Sequence, residues 1–188
     1  GTGSHFVVEG DEYDSAFFAK QAKFLSYLPQ LLVINNIEFD HADIYPDLEH
    51  IETSFRQLIN VVPGSGLVVA NHDDPVVGGL LPGSLAPVQT FGLSPSAEWS
   101  ASDIETRGRH VSFTVSRHAS ELGRFELALS GRHNVRNALG AIAIASHVGL
   151  EPRPLVNALS TFNGIERRQQ GIAEAAGIIL IDDFAHHP

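Results

Sequence analysis

The chain has 188 residues, with 22 acidic against 12 basic side chains, ten histidines, and neither cysteine nor methionine. A net charge near −10 argues against broad binding to nucleic acid or anionic membranes, which recruit Lys/Arg clusters, but leaves room for a phosphate held by backbone N–H groups and a metal. No disulfide frame can form, no apolar run approaches the ~18–20 residues of a membrane span, and no signal-peptide pattern opens the chain, so a cytoplasmic location is expected.

In chain order, Phe6-Val7-Val8 is a short apolar run breaking into Glu9-Gly10-Asp11-Glu12, the pattern of a buried strand ending at an acidic loop. Leu31-Leu32-Val33-Ile34 repeats it before Asn35-Asn36, and Gly66 to Ala70 repeats it before Asn71-His72-Asp73-Asp74. Short β-branched runs of this kind suit strands buried on both faces of a parallel sheet. Between the second and third runs, Leu48, Ile51, Phe55, Leu58, Ile59 and Val62 recur at three- and four-residue steps. That spacing predicts an amphipathic helix over 47–61, stopped by Pro63-Gly64. Strand, helix, strand is the βαβ signature.

Residues 97–129 change period. His110 to Val115 and Arg124 to Leu129 alternate apolar and polar side chains, with Gly108 and Gly123 near the turns, which predicts a small antiparallel sheet. An alanine-rich helix follows over 134–148, ended by Gly149, and a second runs from Pro152 to Phe162. Gly177 to Ile181 reads as another buried strand, closing on Asp182-Asp183 and His186-His187-Pro188. The expected fold class is α/β: a mostly parallel sheet flanked by helices, with a small additional antiparallel sheet.

Polar residues gather where the apolar runs stop: Glu9, Asp11 and Glu12; Asn36, Asp40 and His41; Asp73 and Asp74; Asp182 and Asp183. In an open α/β sheet the carboxyl ends of the strands are where ligands bind, although turn formers and helix caps have the same composition. Glu9 and His41 are the sharper pair. A carboxylate and a neutral imidazole at neighbouring strand ends suit a divalent ion completed by water and phosphate oxygens, and a capping or core histidine is the alternative. His133 and Asn137 stand four apart at the start of the alanine-rich helix and so share a face that suits a planar base, or are solvated residues after a cap. Arg167-Arg168 suit a phosphate or carboxylate clamp, or plain surface charge. His5, His50, His72, His110, His118 and His147 read as structural or solvated. No Gly-Lys-Thr or Gly-Lys-Ser phosphate loop is present, and neither lysine, Lys20 or Lys23, follows a glycine.

Five ordered motifs carry a resemblance: Glu9-Gly10-Asp11-Glu12-Tyr13-Asp14, Asn36-Ile37-Glu38-Phe39-Asp40-His41-Ala42-Asp43, Gly131-Arg132-His133-Asn134-Val135-Arg136-Asn137-Ala138, Arg167-Arg168, and Asp182-Asp183-Phe184-Ala185-His186-His187-Pro188. In this order the chain resembles the central ATP-binding domain of the Mur ligases. Within that family, Tyr13-Asp14-Ser15-Ala16-Phe17-Phe18-Ala19-Lys20 followed by Lys23-Phe24 is similar to the branch that joins L-alanyl-γ-D-glutamyl-meso-diaminopimelate to UDP-N-acetylmuramate. The branch adding L-alanine to UDP-N-acetylmuramate usually has a serine at the position of Tyr13 and lacks the Phe-Phe-x-Lys stretch.

The resemblance implies ATP-driven amide synthesis in peptidoglycan recycling through an acyl phosphate. Its site residues would be Glu9 and His41 on magnesium, with His41 beside the acyl phosphate. His133, Asn134 and Asn137 would meet the adenine, Arg168 the ATP phosphates and Asp183 the ribose. It implies no carbamylated lysine beyond His41, since both lysines precede that residue. It also implies that a phosphate loop and a UDP-binding domain precede Phe6 and that a peptide-binding domain follows Pro188. A chain lacking methionine and beginning Gly1-Thr2-Gly3 is then expected to be a piece of a longer protein. Residues 1–5 read as a linker or cloning remnant, residues 6–188 as an incomplete central domain, and the piece alone as inactive. A non-catalytic scaffold domain is the contrasting expectation.

Overall fold

A computed structural model describes residues 2–16, 19–42 and 44–185. Phe17, Phe18, Asp43 and His186-His187-Pro188, all within motifs quoted above, lie outside the described residues. The chain divides into two compact units, Gly1–Thr90 and Phe91–Pro188.

The first unit opens with an antiparallel pair, β1 (Asp14–Ala16) and β2 (Ala19–Ala22). β3 (Leu31–Ile34) and β4 (Leu67–Asn71) then pair in parallel, Leu31 opposite Leu67 and Ile34 opposite Ala70. The crossover between them is helix α1 (Leu48–Val61), as the hydrophobic spacing predicts. Asp47 caps it by accepting the His50 N–H, so one of the otherwise unpaired N–H groups of its first turn is satisfied. α1 buries Ile51 and Ile59 in one cluster with Val68 and Ala70 of β4, whose five residues are all buried, and Leu58 in another with Ala22 and Phe24. β3 is different. It lies at the edge of its sheet, and only Ile34 is fully buried while Val33 is exposed, so the expectation of burial on both faces holds for β4 alone.

A helix that the periodicity does not announce, α2 (Pro75–Leu80), follows β4 directly. Asp74 starts it, accepting the N–H groups of Val76 and Val77, with Pro75 at the first helical position. Gly66, at the entrance to β4, has no room for a side chain. A Cβ there would lie 2.2 Å from the Gln30 carbonyl oxygen and 2.9 Å from Val62 Cγ1.

β5 (Val88–Gly92) carries the chain from one unit to the next, and strand order in the six-stranded sheet is β3-β4-β5-β6-β7-β8. In the second unit β5 pairs in parallel with β6 (Trp99–Arg107). β6, β7 (His110–Arg117) and β8 (Ser120–Leu127) then continue antiparallel. The alternating runs are therefore the antiparallel strands expected, and they belong to this larger sheet. Their inner face buries Phe113 opposite Phe125, ring centroids 6.2 Å apart, a cross-strand aromatic pair. The β7–β8 turn is His118-Ala119, both at positive φ (48° and 62°), the type I′ arrangement achieved without glycine. Gly123 sits within β8, beside a register shift, and not at the turn.

Helix α3 (Arg132–His147) packs Val135, Leu139 and Ile142 onto β6 and β7, and α4 (Pro152–Ser160) lies against β8. The last pair, β9 (Gln170–Ala175) and β10 (Ile178–Asp182), forms a separate two-stranded antiparallel sheet. The fold class is that expected: a mostly parallel mixed sheet with flanking helices and small antiparallel additions.

Two apolar runs depart from the sequence reading. Phe6 and Val7 are each 90% exposed and belong to no strand, and Ile178 to Ile181 form a strand that is exposed along its length. An apolar run buries itself only where a second layer covers it. Among the described residues β10 pairs with β9 alone, and nothing covers Phe6 to Val8.

Candidate functional site

In the first unit the residues converge on His41. Its backbone is in the left-handed region, φ 57°, where a non-glycine residue needs support from its surroundings. That support is explicit: the His41 N–H donates to Asp40 Oδ1 at 2.7 Å, and the His41 carbonyl accepts from Ile44 at 2.8 Å and Tyr45 at 2.9 Å. The imidazole, only 10% exposed, sets Nε2 2.6 Å from Glu12 Oε1 and 3.8 Å from Asp40 Oδ2. The Tyr13 ring lies against it, centroids 4.2 Å apart and tilted by 50°.

The segment facing His41 is fixed as well. The Tyr45 hydroxyl donates to the Glu12 carbonyl at 2.7 Å. Asp11 accepts the Tyr13 N–H at 2.9 Å and pairs with Lys23 Nζ at 3.2 Å, while the Lys23 N–H returns to the Tyr13 carbonyl. Burial pushes the Tyr45 hydroxyl pKa up. The charges of Glu12, Asp11 and Asp14 push the same way against a hydrogen bond with Ser54. Beneath the loop, Asp74 Oδ2 accepts the Ile37 N–H at 3.1 Å while Oδ1 caps α2, so one carboxylate joins the strand end that leads to His41 to the start of a helix.

The carboxylate on His41 is thus Glu12, not Glu9. Glu9 is exposed, and among the described residues no hydrogen bond or ion pair joins it to His41. Both residues lie in the same acidic loop, and composition alone does not say which of them turns inward. The deciding contact is distant in sequence: the Tyr45 hydroxyl holds the Glu12 carbonyl, and no local pattern announces it. Asp73 and Asp74 serve as turn and cap, the bland reading of that cluster.

The second unit holds the other named residues. His133 and Asn137 both lie on α3 and both are exposed, one turn apart on the same side. Gly131 precedes the helix at φ 101°, and a Cβ there would fall 2.6 Å from His133 Cε1 and 2.8 Å from Nδ1, so the ring folds back over a residue that must have no side chain. Asn134 donates from Nδ2 to the Ser130 carbonyl at 2.7 Å, which leaves its amide oxygen to other partners. Arg168 is exposed, its N–H closing a turn on Ile165. Arg167 is the engaged member of the pair. Its guanidinium lies 4.8 Å over the Phe184 ring and 3.9 Å from Asp182, and its carbonyl accepts the Phe184 N–H at 2.7 Å. Asp183 is exposed.

The profile of the Mur ligase middle domain matches residues 2–145. The chain belongs to the Mur ligase family. It is 39% identical over 189 residues to the UDP-N-acetylmuramate–L-alanyl-γ-D-glutamyl-meso-2,6-diaminoheptandioate ligase of Escherichia coli K12, a match taking in 100% of this chain and 40% of the relative. It is 36% identical over 188 residues to the UDP-N-acetylmuramate–L-alanine ligase of Desulfitobacterium hafniense Y51, again 100% of this chain and 40% of the relative. Among solved structures, the UDP-N-acetylmuramate:L-alanyl-γ-D-glutamyl-meso-diaminopimelate ligase of Neisseria meningitidis matches with a TM-score of 0.75 and 41% identity, covering 85% of this chain and 48% of that one. The chain therefore spans less than half the length of these ligases. Among the described residues no helix is long and apolar enough to cross a membrane.

Proposed function

We propose that the chain is the central domain of a cytoplasmic ATP-dependent ligase that joins L-alanyl-γ-D-glutamyl-meso-diaminopimelate to UDP-N-acetylmuramate. The observation that carries this reading is the contact of Tyr13 with His41, ring centroids 4.2 Å apart. Tyr13 is the position at which the resemblance separates the tripeptide-adding branch from the L-alanine-adding one, and here its ring lies on the site histidine. The E. coli and N. meningitidis relatives support the same branch.

In the proposed reaction the muramyl carboxylate attacks the γ-phosphorus of ATP and ADP leaves. The amino nitrogen of the tripeptide then attacks the acyl carbon, and phosphate leaves with the electrons of its C–O bond. Most of the catalytic work is positional and electrostatic. Magnesium, when bound, would offset phosphate charge. Among the described residues no three histidine or carboxylate groups converge on one point, so the protein offers no complete cage. A Mg2+ ion that keeps its waters and shares phosphate oxygens needs only one or two side chains, and the Nδ1 of His41, to which no described residue hydrogen-bonds, fits that smaller demand. In this reading His41 and Glu9 face the metal, and His133, Asn137 and the amide oxygen of Asn134 face the adenine. Arg168 meets phosphate and Asp183 the ribose.

The test is an assay of the full-length protein with ATP and UDP-N-acetylmuramate, offering tripeptide or L-alanine. Turnover with tripeptide is expected. Turnover with L-alanine alone overturns the branch, and turnover with neither favours a non-catalytic domain.

A further inference from the structure

Glu12, in the acidic loop, has no part in the proposed reaction. Glu12 Oε1 stands 2.6 Å from His41 Nε2, on a ring that is 10% exposed, while its own side chain is 31% exposed. A carboxylate only accepts, so in the neutral imidazole the proton of this contact belongs to Nε2. Among the described residues nothing hydrogen-bonds Nδ1. The Glu12 backbone cannot drift, because the Tyr45 hydroxyl holds its carbonyl and Asp11 holds the next N–H. The ring itself is pinned on its flat side by Tyr13 and along its backbone by Asp40, Ile44 and Tyr45.

We propose that Glu12 is a positioning residue: by accepting the Nε2–H of His41 it fixes the tautomer and ring angle that present Nδ1 as the metal-facing nitrogen. The geometry is that of a carboxylate–histidine–metal triad, in which the outer carboxylate orients the ligand without touching the ion. The inference rests on the reading of His41 as metal-facing, but its first test does not depend on substrate.

In the ligand-free protein, histidine 15N shifts of His41 should show a pyrrole-type Nε2 and a pyridine-type Nδ1. The opposite assignment overturns the proposal while leaving the ligase reading intact. In the full-length enzyme with ATP, Mn2+ binding followed by electron paramagnetic resonance should weaken by about 10–100-fold in Glu12→Ala. Glu12→Gln, whose amide oxygen still accepts from Nε2, should keep both the tautomer and most of the affinity. A Glu12→Gln variant as weak as Glu12→Ala would mean that the negative charge acts on the metal directly, and the positioning role would fall. Should Glu12→Ala not fold, the wild-type tautomer and the Gln variant still decide.

Discussion

His41 and His133 look alike in the sequence, each a histidine in a polar motif at the border of a regular element, yet the chain treats them in opposite ways. His41 is enclosed, its ring touched by Glu12 and Tyr13 and its strained backbone held by three hydrogen bonds. His133 stands exposed on the first turn of α3, resting on a glycine and lacking a side-chain cap beneath it. The difference separates a side chain oriented during folding from one left open on the surface. A group that must meet developing charge gains from pre-organisation, whereas a group that meets the face of a base can be ordered at the moment of binding.

Three substitutions test that contrast. The largest effect is expected from His41→Ala in the full-length enzyme, a fall in kcat of more than about 100-fold. Steady-state assays showing an unchanged kcat would remove His41 from the chemistry. Next is Gly131→Ala. It forces a side chain onto φ 101° and into the His133 ring, so denaturant unfolding should show a loss of about 1–3 kcal/mol. His133→Ala should stay within about 0.5 kcal/mol of the parent while raising KM for ATP. If the two variants lose equal stability, the open character of the α3 start is wrong.

The smallest effect concerns the start of α1, where His50 donates from ring and backbone to Asp47 and holds its carboxyl below the usual range. A depressed folded-state pKa stabilises above the unfolded value, and that contribution is lost as pH falls through the folded value. Asp47→Asn retains the cap. Thermal melting should therefore lie slightly below the parent at neutral pH, where the ionised carboxyl contributes, and fall less steeply below about pH 4, so that the two curves converge in acid. An acid limb as steep as the parent's would show that the Asp47–His50 pair carries none of it.

Where one face of an element is buried, the sequence was a sufficient guide. The three- and four-residue steps locate α1, the alternation locates β7 and β8, and the β-branched runs locate β3 and β4. It was insufficient where burial depends on a distant layer, as at Phe6 to Val8 and Ile178 to Ile181, because hydropathy records what a residue prefers and not what covers it. α2 escaped because six residues hold too few turns for a period to appear, and its cap, Asp74, passes equally for a turn former. At the site, the motifs brought Glu12, Tyr13 and His41 into view, but the choice of Glu12 over Glu9 is made by Tyr45, a buried aromatic 33 positions away along the chain.

Gly66 has a consequence outside chemistry. Any side chain there must displace the Gln30 carbonyl and the Val62 side chain, and with them the entry to β4, the strand whose far end leads through Asn71 to Asp74. A survey of inactivating alleles would therefore mark residue 66 alongside the histidines proposed to face ligands. Such a map would contain a position with no functional group, and its intolerance would report the clearance between two chain segments.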